Sequence, residues 1–189
     1  YMFKIEIEGK TILHTGDFRA HGYAGYVLEK VLRYYVKQVD ILITEGTMLG
    51  RKNEVVLLEA DIEKNVAEAL RKSKYVYALC SSTDIDRIRA LHNACKVTRR
   101  TFVCDSYQYS VLDIFNKYTL SERYKFNRVF KLINYKTKNV YQKLSHTGFL
   151  VMVRPSSYSR IKRMMCTYND QPSALIYSMW QGYHNGTPE

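Results

Sequence analysis

Long apolar runs are what this chain of 189 residues most plainly lacks. None reaches 18 residues, so the sequence encodes no transmembrane helix. No signal peptide is expected in these residues either, because the first ten, YMFKIEIEGK, alternate like a strand. Cysteine is sparse. Cys80, Cys95, Cys104 and Cys166 form no C-x-x-C pair and no zinc-finger spacing. Cys80 and Cys104 close apolar strand-like runs and Cys95 falls on an apolar helix face, so four buried free thiols in a reducing cytoplasm are expected. Neither G-x-G-x-x-G nor G-x-x-x-x-G-K-[ST] occurs, which removes the best support for a nucleotide cofactor. The histidines (His14, His21, His92, His146, His184) show no H-x-H or H-E-x-x-H spacing and offer no convincing trio of zinc ligands. With 46% apolar and 25% charged residues, disorder, collagen and coiled coil are excluded. The length suits one domain, or one domain plus part of another. The start at Tyr1 and the stop at Pro188-Glu189 read as a piece of a longer protein.

What the chain does have is charge of one sign in one place. The net charge is +11, and residues 117–163 hold twelve Lys and Arg against one acid, Glu122, which accounts for the whole excess. Such asymmetry points to a polyanionic partner, nucleic acid ahead of an anionic membrane. The plain alternative is a solvated basic face. Tyr118, Tyr124, Phe126, Phe130, Tyr135 and Tyr141 are interleaved with the charges. Basic and aromatic residues together suit single-stranded RNA, because phosphates take the charge and bases stack on rings.

The patterning predicts two strands over 1–14 turning at Gly9-Lys10, a loop over 15–22, a short helical or irregular Tyr-rich stretch over 26–37, and a compact buried strand, DILIT, over 40–44. Strand and helix alternate from there. Helices are expected over 54–72 (Val55, Leu58, Ile62, Val66, Leu70 inward), 84–97 (Ile85, Ile88, Leu91, Cys95 inward), 107–118 (Tyr107, Val111, Ile114, Tyr118 in register) and 157–166. Strands are expected at 75–79, 101–104, 149–153 and 174–178, while 119–147 resists assignment. The strands are apolar throughout, the mark of parallel strands covered on both faces. The fold class is therefore α/β: a Rossmann-like, mostly parallel sheet with helices on both faces.

In such sheets ligands gather beyond the carboxyl ends of the strands. Four polar segments fall there: Thr15-Gly16-Asp17-Phe18-Arg19, Glu45-Gly46-Thr47, Ser81-Ser82-Thr83-Asp84 and Trp180-Gln181-Gly182-Tyr183-His184. Asp17 is either a metal ligand, able to bridge two ions, or the head of an Asx turn. Glu45 is either a turn residue or a group that moves a proton or orients a ligand. Ser82, Thr83 or Asp84 caps the following helix, whose free N–H groups also suit phosphate, with Arg87 one turn in.

Together these segments resemble a β-CASP metallo-β-lactamase, the nuclease group that includes ribonuclease J. ILHTGDFRAHG (12–22) resembles the stretch that carries the family's metal-bridging aspartate, here Asp17. DILITEGT (40–47) resembles the strand ending in the acidic residue that opens the insertion, here Glu45. LCSSTDIDR (79–87) resembles the strand, loop and helix whose small polar residues approach substrate phosphate, and ALIYSMWQGY (174–183) resembles the last insert strand. The likeness is poor over 117–163, and the family's H-x-H-x-D-H motif is absent from the chain.

The resemblance implies a partial lactamase flank at 1–47, a β-CASP-like α/β domain at 48–184 and a return to the lactamase fold at 185–189. It implies two-zinc hydrolysis of RNA phosphodiesters by the parent protein. Asp17 would be a metal ligand, Glu45 a catalytic acid/base, and Ser81, Ser82, Thr83 and Arg87 phosphate contacts; the charge of 117–163 itself, not the resemblance, adds Lys131, Lys136 and Lys138 as RNA contacts. The chain alone is expected to hold no zinc tightly and to be inactive. The expected partners are RNA and the remainder of the parent chain, with homo-oligomerisation left open, no membrane, and a cytoplasmic location. Two other readings stay open: a non-catalytic nucleic-acid-binding α/β module, and a lactamase-fold hydrolase of a small metabolite.

Overall fold

The computed structural model describes residues 2–46, 56–133 and 137–179. The chain divides into two compact units, Tyr1–Glu59 and Ala60–Glu189.

The first unit carries a three-stranded sheet. Strands β1 (Phe3–Ile7) and β2 (Lys10–His14) are antiparallel, and β3 (Ile41–Ile43) lies parallel to β2. Ile7 pairs with Lys10, so the two-residue turn is Glu8-Gly9, one position earlier than Gly9-Lys10. Both turn residues have positive φ (48° and 73°), the conformation whose twist matches a hairpin. Between β2 and β3 runs one helical stretch: a 3-10 turn (Gly25–Val27), α1 (Leu28–Val31) and a π-helical segment (Leu32–Val36). The strand DILIT is not buried. Ile41, Leu42 and Ile43 are all about half exposed. Ile41 and Ile43 share a face with Phe3, Ile5 and Ile7, all exposed, while Leu13, on the other face, is buried. Apolar composition alone therefore misjudged this strand: no layer of the described residues covers that face.

The second unit is an all-parallel five-stranded sheet between helices. Its strands are β4 (Tyr75–Cys80), β5 (Thr101–Cys104), β6 (Val129–Lys131), β7 (Phe149–Val153) and β8 (Ser173–Ser178), in the order β6-β5-β7-β4-β8. Its helices are α2 (Glu59–Lys72), α3 (Ile85–Thr98), α4 (Ser106–Tyr118), α5 (Lys138–Thr147) and α6 (Tyr158–Thr167), α2 taking its first residue from the end of the first unit. Side chains of α2, α3 and α4 pack on one face (Val66, Leu70, Ile88, Leu91, Leu112), and those of α5 and α6 on the other (Leu144, Met164). This is an α/β architecture with helices on both faces of a parallel sheet. Alternate residues of β4 feed the two cores, Val76 and Ala78 into one and Tyr75 and Tyr77 into the other. That explains the unbroken apolar runs of the central strands. At the edge, β8 buries one side only: Leu175 is 66% exposed whereas Ala174 and Ile176 pack inward.

Three expectations need correction here. Helix α2 starts at Glu59, not 54: Leu58 precedes it and is exposed, and Val55 lies outside the described residues. The unassigned stretch 119–147 contains β6 and α5, whose signals were obscured by lysine and arginine on short elements. Helix α4 turns a different face inward. Gln108 and Leu112 are buried, and Tyr107, Ile114 and Tyr118 are exposed at 52%, 57% and 69%. The helix is apolar on two sides, and its cap decides between them. Asp105 accepts from the Gln108 amide at 2.9 Å and the Gln108 side chain accepts from the Asp105 amide at 3.0 Å, a closed capping box that points position 108 into the core. Among the thiols, Cys80, Cys95 and Cys104 are buried and Cys166 is exposed, on the outward side of α6.

Candidate nucleic-acid interface

Parallel strands line up their carboxyl ends, and the helices that follow begin there. In the second unit this edge collects the loops after β4, β5, β6 and β7 and the first turns of α3, α4, α5 and α6. The amino edge collects the helix ends.

After β4 the chain forms Ser81-Ser82-Thr83-Asp84. Asp84 is the cap of α3, accepting from the Arg87 amide at 3.3 Å. Ser81 and Thr83 are exposed and their hydroxyls lie 3.1 Å apart. Ser82 points inward, 8% exposed, and its hydroxyl has no partner among the described residues. The Arg87 guanidinium hydrogen-bonds the Ser178 hydroxyl at the end of β8. Thus Ser81, Thr83 and Arg87 share one edge, while Ser82 faces the interior.

After β5 stands Asp105, 5% exposed. Its second carboxylate oxygen accepts from Nε and Nη2 of Arg154, at 3.0 and 2.5 Å, and from Nη2 of Arg160 at 3.3 Å. Arg154 directly follows β7, and Arg160 lies in the first turn of α6, where it also donates to Ser157 Oγ at 2.9 Å. Burial raises the Asp105 pKa, but the Gln108 amide and the two guanidiniums outweigh it and hold the carboxyl below its ordinary value. One buried carboxylate therefore orients two arginines. Each is about a third exposed, and Nη1 of both, with Nε of Arg160, has no partner among the described residues. Two planar donors held by one carboxylate keep a net positive charge and open N–H groups, which is phosphate-binding chemistry. Lys131 closes β6 on the same edge with its ammonium over the Tyr109 ring, and Lys138 opens α5. Lys136 lies outside the described residues, as do Thr47 and Trp180 to His184.

The basic segment is thus not one surface. Lys131, Lys138, Arg154 and Arg160 reach the carboxyl edge, whereas Lys117 in the last turn of α4, and Arg123, Lys125 and Arg128 between α4 and β6, fall at the amino edge. Its aromatics divide too: Phe126 is core and Phe130 packs against the core, while Tyr118 and Tyr158 are well exposed and Tyr141 is partly so. Sequence reasoning passed over Asp105, Arg154 and Arg160. The signal was present: D-S-Y-Q after TFVC reads as a capping box, and Arg154 ends the strand FLVMV.

In the first unit, the loops after the parallel strands β2 and β3 meet. Thr15 donates its amide to the Ile43 carbonyl at 3.0 Å and its hydroxyl to Thr44 Oγ1 at 3.2 Å. Glu45 accepts from the amide of Phe18 at 3.3 Å, which brings it beside the Asp17 loop. Asp17 itself is exposed. Nearby, Arg19 pairs with the fully buried Glu59 carboxylate at 2.7 Å. Among the described residues no three His, Cys, Asp or Glu side chains gather to hold a metal. A catalytic zinc takes three protein ligands, so the described residues do not by themselves fit that ion. No helix among them is long and apolar enough to cross a membrane.

No protein-family model matches the chain, and no curated protein matches it.

Proposed function

We propose that the chain holds single-stranded RNA along the carboxyl edge of its five-stranded sheet, as the substrate-facing part of a ribonuclease J-like β-CASP hydrolase. The observation that carries the reading is the pair Arg154 and Arg160, fixed by the buried Asp105 on the edge that also presents Ser81, Thr83, Lys131 and Lys138. Phosphate contacts of this kind dominate nucleic-acid affinity. The family part rests on the motifs around Asp17, Glu45 and Ser81 to Arg87, with 48–184 as the insertion and the parent's zinc chemistry completed by ligands other than Asp17. A non-catalytic RNA-binding module is the second reading, favoured by the missing three-ligand group among the described residues.

Titration of a labelled single-stranded RNA at several salt concentrations tests the proposal. Affinity should fall steeply as salt rises. Lys131→Glu/Lys136→Glu/Lys138→Glu should weaken binding more than tenfold at low salt and reduce the salt slope by roughly 2, at about 0.7 for each phosphate that a lysine no longer neutralises. An unchanged affinity and slope would remove this edge as the RNA surface.

A further inference from the structure

We infer that Tyr107 is a base-stacking platform that makes the carboxyl edge selective for unpaired nucleotides. The inference rests on the RNA reading above and deepens it.

Tyr107 is the second residue of α4, so the capping box that sets the first turn of that helix also sets the ring. The guanidinium of Arg154 lies over the ring, 5.0 Å from its centroid. The same guanidinium gives two N–H groups to the buried Asp105. The chain of contacts runs from a buried carboxylate to an arginine to an aromatic ring, and each member is held by the one before it. Despite that cover Tyr107 is 52% exposed. An exposed aromatic ring with an ordered cation against it is what an unstacked base binds: ring on ring, with the cation at hand for the adjoining phosphate.

The aromatics of the basic segment do not supply this. Phe126 is core, Phe130 packs against the core, and Tyr118 ends α4 at the opposite edge of the sheet. Tyr109 carries Lys131 but is packed against the core. Tyr158 opens α6 and is 71% exposed, but among the described residues no cation lies over its ring, whereas Tyr107 is an exposed ring under an oriented arginine. A base locked in a duplex cannot lie on it, so the platform separates single strands from double strands where charge alone does not.

The experiment compares Tyr107→Ala and Tyr107→Phe in the full chain, with a single-stranded oligonucleotide, the same oligonucleotide in a duplex, and a version lacking all bases. Tyr107→Ala should weaken single-strand binding about tenfold or more, in line with the loss of one stacked base. The salt slope should stay at the wild-type value, because every phosphate-binding cation is still in place. Tyr107→Phe should bind within about twofold of wild type, and duplex and base-free strands should bind both variants as they bind wild type. The ring is exposed, so thermal unfolding of both variants should match wild type, and a fold defect would be visible there. If Tyr107→Ala binds single strands as well as wild type while the triple lysine reversal weakens them, the stacking inference is overturned and the RNA reading survives. If neither change affects affinity, both fall.

Discussion

His92 shows how a single residue ties stability to pH. It is 2% exposed, packed edge-on against Phe102 and Phe126, and one ring nitrogen, Nε2, lies 2.7 Å from the Asn127 carbonyl. Nε2 therefore carries the hydrogen and donates, and Nδ1 is left without a partner among the described residues. Burial lowers its pKa below 6.5, against the Asn127 bond and with help from Arg89 and Lys96. The sign follows directly. Above 6.5 folded and unfolded states are both neutral at this ring and nothing is lost. Below it the unfolded chain takes a proton that the folded chain refuses, so stability declines as pH falls toward the folded pKa. The decline is up to about 1.4 kcal/mol per pH unit for one proton. Urea unfolding from pH 7.5 to 5.5 should show this slope in wild type and a flatter one in His92→Phe. Equal slopes would mean that another group governs the acid side.

At the level of elements, α5 shows how a helix end can depend on one glycine. Gly148 follows α5 with φ of +67°, and its amide donates to the Leu144 carbonyl at 2.9 Å. The chain then turns at once into β7, where Phe149 bonds the Lys74 carbonyl at 3.0 Å. A Cβ at 148 would stand 2.6 Å from that same carbonyl. Gly148→Ala therefore combines a left-handed backbone with a collision against main chain, and it should cost at least about 2 kcal/mol. The midpoint of chemical denaturation measures it, and a loss under about 0.5 kcal/mol would show that the α5–β7 turn relaxes easily. Helix α4 makes a related point. Its sequence pattern turns Tyr107, Val111, Ile114 and Tyr118 inward, yet the capping box at Asp105 and Gln108 goes with burial of Gln108 and Leu112 instead. The side left outside is the one that offers Tyr107 to a ligand.

For the whole molecule, metal content follows from the donor set. Asp17 and Glu45 stand on neighbouring loops, but no group of three ligating side chains forms among the described residues. The chain dialysed against metal-free buffer should retain well under one zinc per molecule and should not hydrolyse RNA. Stoichiometric zinc by elemental analysis would overturn that expectation. Composition and periodicity by themselves determined the α/β class, the central strands and the concentration of charge in 117–163, because each is a local property of the chain. The loop after β4 was also legible, since a polar run between an apolar strand and an amphipathic helix has few other places to go. Strand order was not, and strand order decides the interface. The sequence places Asp105 some fifty residues from Arg154 and Arg160. Only the pairing of β5 with β7 brings their ends together at one edge. The same topology sends Lys117, Arg123, Lys125 and Arg128 to the far edge, for pairing depends on long-range packing that no local pattern records.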